Sequence, residues 1–370
     1  MTLVRDIIGL FESWAPPKLA ESWDNVGLIY GSPDSPAASI IVALDATEET
    51  VGRALETNSS LVVTHHPPLF NPQKKFSGDS LSIRLARMLL KNDIALYTAH
   101  TNLDRVPDGV SGALADRLGL GSRSLLVPSG ETMIKFVTFC PSDHTDSVRE
   151  AAWRAGAGVI GEYRHCSFTS RGEGTYIPSV SASPYSGSAG VLSREDEDRI
   201  EMLVPSSSVQ SVIEAAGRAH PYDEMAYDLI RLENEDATFG YGVAGELPEP
   251  MEPDAFVEFA TSSLGIDSAI VSARPGKQVG RVAVLGGKGS FGIEPALSSG
   301  ADAFVTGEIG YHEFVDYGDR ILLVDAGHRS TELPVLEAME QRILSSDAVS
   351  GVTVIVEKGS PPSLTRSFRK

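Results

Sequence analysis

Residues 62–70 read VVTHHPPLF, and this stretch sets the reading of the whole chain. An apolar run of strand character ends in two adjacent histidines, which would point to opposite faces if the strand continued. Pro67 holds His66 in extended geometry, and Pro67 with Pro68 supplies no backbone N–H for further pairing. The chain therefore leaves the sheet here, and both imidazoles are free to turn toward one cavity. Two further stretches repeat the pattern: IALYTA leads to His100 and Asp104, and RILLVDAG to His328 and Glu332. In open α/β sheets ligands bind beyond the carboxyl ends of strands. Three such ends converging on one crevice would offer imidazole and carboxylate donors to metal, and His328 and Glu332, four apart, share one helix face.

Around these stretches the first third alternates strand and helix: SIIVALDAT, EETVGRALE, SLVVTHH, LSIRLARMLLKND, IALYTAH and GVSGALADRLGL. That rhythm predicts a mostly parallel sheet flanked by helices. It resumes late, with VGRVAVLGG, ADAFVTGE, RILLVDAG and GVTVIVE as strands and GIEPALSSG and LPVLEAMEQRIL as helices. The middle reads strand, helix, hairpin, strand, helix, strand, close to a ferredoxin-like split βαβ unit. Turn-rich VPSGET (127–132) and LENEDAT (232–238) flank it. The fold expected is a two-part α/β metal-binding domain, 1–128 and 237–370, interrupted by an inserted ferredoxin-like α+β domain at 129–236. GSPPSLTRSFRK, at 359–370, reads as a frayed basic tail.

Composition narrows the function. The 370 residues carry 31 basic and 50 acidic side chains, a formal net charge of −19, which disfavours nucleic acid as a partner. Two cysteines, Cys140 and Cys166, make neither a disulfide framework nor a thiolate zinc site. The start, MTLVRDIIGLFESW, lacks the long apolar core of a signal peptide, and no run is long enough for a membrane span. These features point to a cytoplasmic protein. Two ions about 3.5–4 Å apart can share a water and lower its pKa, and a donor set of imidazole and carboxylate suits two divalent ions of zinc, iron, manganese or nickel.

Secondary signals carry less. GYGVAG (240–245) matches a dinucleotide fingerprint in letters, but no apolar strand precedes it and no helix follows. LGGKGSFGIEPAL (285–297) has the strand, glycine turn and helix of an anion cradle, with Lys288 as a candidate substrate-binding cation. TGEIGYHEF offers Glu308, Tyr311 and His312, the last a candidate proton shuttle or substrate contact. Asp24 and Asn25 in ESWDNVGLIYG read most simply as a turn.

The stretches WDNVGLIYG, THHPPLF, AHTNLD, TGEIGYHEF and DAGHRSTE together resemble the GTP cyclohydrolase 1 type 2 homologues, the NIF-three-like dinuclear-metal hexameric proteins. GVIGEYRHCSF, GEGTYIP and AHPYDEMAYDLIRL are similar to the inserted domain of the longer bacterial members. The resemblance implies metal ligands at His65, His66, Asp104, His328 and Glu332, with Glu332 bridging. It leaves His100 behind the ligands or facing substrate, a candidate catalytic residue. It also implies a hexameric ring with the metal sites facing an internal cavity. The chain departs from the family at Val243, where an arginine is common; Lys288 could compensate. The function expected is a dinuclear-metal hydrolase of the GTP cyclohydrolase kind, acting on a nucleotide or phosphate-bearing small molecule. The alternative is a non-catalytic, ring-shaped metal-binding scaffold or regulatory protein.

Overall fold

A computed structural model describes residues 2–71, 73–128, 132–161, 163–235, 238–272 and 276–359. Most of the expected basic tail, and parts of both expected turn-rich flanks, lie outside them. The chain divides into two compact units, residues 1–127 with 239–370, and residues 128–238.

The first unit is mixed α/β and holds two sheets. The first sheet runs in the order Gly27–Tyr30, Ala95–Thr98, Leu61–Thr64, Ser39–Ala43, Thr353–Glu357. Its last four strands are parallel, and Gly27–Tyr30 is antiparallel at the edge. Leu61–Thr64 and Ala95–Thr98 are buried at every residue, which is why they read as unbroken apolar runs. The second sheet runs Ile270–Val271, Leu322–Asp325, Ala303–Gly307, Val279–Lys288, Gly240–Met251, Gly121–Pro128. Its three inner strands, from Leu322–Asp325 to Val279–Lys288, are parallel, and both Ile270–Val271 and Gly240–Met251 pair antiparallel with them. The repeating βαβ pattern thus supplies two sheets, each with antiparallel company.

Helices close the faces by helical spacing of apolar residues. Val4–Trp14 buries Val4, Ile7, Phe11 and Trp14, spaced three and four apart, and the Asp6 carboxylate accepts the Leu3 N–H at 2.8 Å to cap it. Helix Val335–Leu344 buries Val335, Leu336, Met339 and Ile343 in the same cluster. The two ends of the unit therefore share one core. Helix Glu48–Glu56 starts at Thr47, whose hydroxyl oxygen accepts the Thr50 N–H at 3.0 Å.

GYGVAG lies inside the strand Gly240–Met251, which removes any nucleotide-loop reading of it. Strand Gly121–Pro128, exposed over its first half, was not foreseen either.

The second unit has a four-stranded sheet in the order Phe168–Tyr176, Ser193–Pro205, Thr132–Pro141, Tyr227–Glu235. Every pairing is antiparallel. Helices Thr145–Arg154 and Val209–Ala219 pack with it around Phe136, Val148, Ala152, Ile200 and Val212. The stretch HCSFTSRGEGTYI is not a self-contained hairpin. It forms one strand, paired Gly172 to Glu197 with the strand that returns after residue 192.

Candidate metal centre

Both sheets of the first unit deliver strand ends to one place. His65 and His66 follow Leu61–Thr64; His100 follows Ala95–Thr98, and Asp104 closes the short helix Thr101–Asp104. His328 and Glu332 lie on the helix His328–Glu332, after a strand of the second sheet. The backbone at the double histidine stays tied to its neighbour, since His65 N–H donates to the Ala43 carbonyl (3.2 Å) and His66 N–H to that of Leu44 (2.8 Å). The prolines then end the pairing. The two rings stand 4.8 Å apart, tilted by 48°, so adjacent residues do approach one cavity from different angles.

Each imidazole is gripped at Nδ1, which leaves Nε2 to point inward. His65 Nδ1 donates to the Ala99 carbonyl at 2.9 Å, His66 Nδ1 meets Asp45 at 2.8 Å, and His328 Nδ1 meets Glu308 at 2.9 Å. Such outer partners fix ring orientation and raise donor strength. The inward nitrogens surround Glu332: His328 Nε2 lies 3.1 Å from Oε1, His66 Nε2 3.2 Å from Oε2, and His65 Nε2 3.8 Å from Oε1. Asp104 Oδ1 lies 3.6 Å from His65 Nε2. His65 Nε2 and Glu332 Oε2 are both buried without a hydrogen-bond partner, the proximity of His66 to Oε2 notwithstanding. Orphaned buried polar atoms are costly, and these two belong to side chains that approach to 3.8 Å, His65 Nε2 to Glu332 Oε1, where imidazole and carboxylate donors would suit a cation. Among the described residues, two sets could each hold an ion: His65, His66 and His100, and His66, His328 and Glu332.

The electrostatics agree. Burial works against the charge on Glu332, but the His328, His65 and His66 imidazoles around it outweigh it and hold the carboxyl well below its usual range. Burial likewise opposes a charged His66, yet the Asp45 and Glu332 carboxylates push it up to about 10. Burial pushes Asp104 up to about 6. Without a cation, these groups neutralise one another by sharing protons.

The sequence reading missed Asp45, which holds the His66 ring, and gave two other supports different roles: Glu308, read there as a cavity contact, holds the His328 ring, and Asp24 is more than a turn residue. Its Oδ1 takes the His100 ring at 2.9 Å, while Oδ2 accepts the Thr101 hydroxyl at 2.5 Å and its N–H at 3.1 Å. Burial raises the Asp24 pKa, but these bonds dominate and bring it down to about 2. Two glycines make the space. A Cβ on Gly287, at φ +70°, would come within 2.4 Å of Glu332 Oε1, and one on Gly307 within 2.6 Å of the His328 backbone nitrogen. Glu308 itself holds a left-handed φ of 59°, strain kept where the ring of His328 is placed.

The cluster opens into a cavity of about 750 Å³, lined by Trp23, Phe70, His100, Tyr241, Lys288 and Phe291 among others. Lys288 makes no ion pair among the described residues. His312 stands exposed on the first turn of helix Tyr311–Tyr317, its ring against Tyr311, and does not line this cavity.

Comparison with known proteins follows the same lines. The family described as Duf34/NIF3 (NGG1p interacting factor 3) matches residues 2–361. A protein of Halalkalibacterium halodurans named GTP cyclohydrolase 1 type 2 homolog is 39% identical over 326 residues, 88% of each chain. One of the same name from Bacillus subtilis is 36% identical over 360 residues, 96% of each. A crystal structure of a Bacillus cereus protein related to NIF3 superposes with a TM-score of 0.77 at 36% identity, over 99% of both chains. This chain belongs to the Duf34/NIF3 family.

Proposed function

From membership of that family and the geometry of its cluster, we propose that the chain is a dinuclear-metal-dependent hydrolase acting on a nucleotide or another phosphate-bearing small molecule. The observation that carries the reading is the pair of orphaned buried atoms, His65 Nε2 and Glu332 Oε2, on neighbouring side chains among inward-turned imidazoles. His65, His66, Asp104, His328 and Glu332 would hold two divalent ions, zinc, iron, manganese or nickel, with Glu332 between them. When bound, the ions supply Lewis-acid polarisation and a water of lowered pKa.

The protein's own side chains do the rest. Trp23, Phe70 and Phe291 are exposed aromatics at the cavity wall and give a planar base surfaces on which to stack. Lys288 lies on the same wall and is the candidate for the substrate's phosphate. His100, held by Asp24, faces the cavity as the candidate proton carrier; His312, which does not line this cavity, would serve it from another chain of the proposed ring. The relatives' shared name supports a purine nucleotide as the substrate.

The second unit runs βαββαβ with strand order 2-3-1-4, which supports reading 129–236 as a ferredoxin-like insertion between 1–128 and 237–370. A hexameric ring in the cytoplasm completes the proposal. No helix among the described residues is long and apolar enough to cross a membrane.

The test is metal analysis together with turnover of GTP and generic phosphoesters by the wild type and by His65→Ala. Bound metal with turnover that disappears in the variant supports the hydrolase. Metal present without turnover of any of these compounds removes it and leaves the scaffold, for which chelation would dissolve the assembly or sharply lower the melting temperature.

A further inference from the structure

The second unit contains a cavity of its own, about 330 Å³, at the small end of the range for small-molecule sites. Its wall carries three tyrosines, Tyr176, Tyr185 and Tyr222, and three carboxylates, Glu197, Asp223 and Glu224; among the described residues no lysine or arginine lines it. The Tyr222 ring lies 6.2 Å from Tyr176 and 5.8 Å from Tyr185, tilted by 57° and 44°, so the rings form walls around a corner instead of a stack.

The corner is built. Tyr222 O–H donates to Glu197 Oε1 at 2.7 Å, and Tyr176 O–H donates to the Ser186 carbonyl at 3.0 Å. Glu197 lies over Gly174, where a Cβ would come within 2.1 Å of its Oε2. Asp223 accepts the Ser183 N–H at 3.1 Å, tying the 177–192 connection to the cavity wall. His220, packed 4.9 Å from Tyr222, is held below its ordinary pKa by burial, so the ring behind the corner brings no positive charge.

Aromatic faces carry negative potential, and carboxylates reinforce it. A hard metal ion would need converging oxygens, and among the described residues the sets close enough to hold one lie in the first unit. We propose that this cavity binds an organic cation through an alkylated ammonium head, seated against Tyr176, Tyr185 and Tyr222 and balanced by Glu197 and Glu224. The chemistry is shared by free quaternary amines and by methylated lysine on a protein chain. It is independent of the metal centre.

The test is calorimetric titration of the full-length protein with choline and with a trimethyllysine peptide, once metal-loaded and once after chelation. The neutral isostere 3,3-dimethylbutanol serves as control. Saturable binding of either cation, equal in both preparations and absent for the isostere, is expected. Saturation by choline assigns a free small molecule, and saturation by the peptide alone a modified protein. Tyr185→Ala, at a half-exposed ring, is expected to weaken binding about tenfold, as is Glu224→Gln, while Tyr185→Phe stays within about twofold. Neither cation binding, the isostere binding equally, Tyr185→Ala binding as the wild type does, or binding lost on chelation would each overturn the assignment.

Discussion

Glu332 is the residue on which the centre turns, and Gly287 is what gives it room. Gly287→Ala would put a methyl group within 2.4 Å of Oε1 and is expected to lower metal affinity at least about tenfold, read by chelator competition. Removing the grip on a ring has a related effect. Asp45→Asn and Glu308→Gln are each expected to cost about 10–100-fold in metal affinity, with secondary structure unchanged by circular dichroism. The pH dependence has a definite sign. His66 is raised from 6.5 to about 10, so its contribution to folding is complete below about 6.5 and lost as pH rises through 10. Asp104 is raised from 3.8 to about 6, so ionising it also weakens the metal-free fold as pH rises. Glu332, depressed, acts in the opposite sense only below its ordinary 4.5. Metal requires the deprotonated ligands. The gap in melting temperature between loaded and chelated protein should therefore widen from pH 5 to pH 9; a constant or shrinking gap would contradict the proton sharing described. The histidines were legible because each cluster follows an apolar run, and Glu332 because it stands four residues after His328. Asp45, and the ring-holding roles of Glu308 and Asp24, were not, because a carboxylate beside a strand end looks the same whether it caps a turn or grips a ring.

At the scale of elements, legibility followed burial. Leu61–Thr64 and Ala95–Thr98 are buried on both faces and stand out as apolar runs. Gly240–Met251 holds Gly242, Pro248 and Pro250, residues that argue against a strand. It forms because its apolar half, Val243 to Gly245, pairs with Val284 to Val282, and the register then shifts between Glu246 and Met251, where the prolines lie. Gly121–Pro128 is missed for the opposite reason: its outer half is polar and exposed. The helix Val4–Trp14 gives the plainest stability forecast. Phe11 is fully buried and touches Trp14 and Tyr97, with ring centroids 6.1 and 5.7 Å away. Phe11→Ala should cost about 3–5 kcal/mol in denaturant unfolding; a loss under about 1 kcal/mol would mean that this cluster does not close the unit's core.

For the molecule as a whole, the strand Thr353–Glu357 extends the first sheet by pairing in parallel with Ser39–Ala43, Thr353 opposite Ser39 and Glu357 opposite Ala43. Stopping the chain before residue 350 would bare that edge, and exposed edges template association. Such a truncation is expected to elute as aggregate in size-exclusion chromatography, where the full chain gives a defined species. That the late part of the chain returns to the early part was legible from the resumed βαβ rhythm. The division into two sheets was not, because strand count and polarity do not record which strand lies beside which.

That returning strand also sets a clock on synthesis. A ribosome adding about 5–20 residues per second needs on the order of half a minute to travel from the partner strand to this one. Through most of that interval the nascent amino-terminal third must wait with a raw margin, and two of the five proposed metal ligands, His328 and Glu332, have yet to be made. Assembly of the proposed centre therefore waits until Glu332 has been made, and chaperone protection of the waiting segment is where a cell would have to invest.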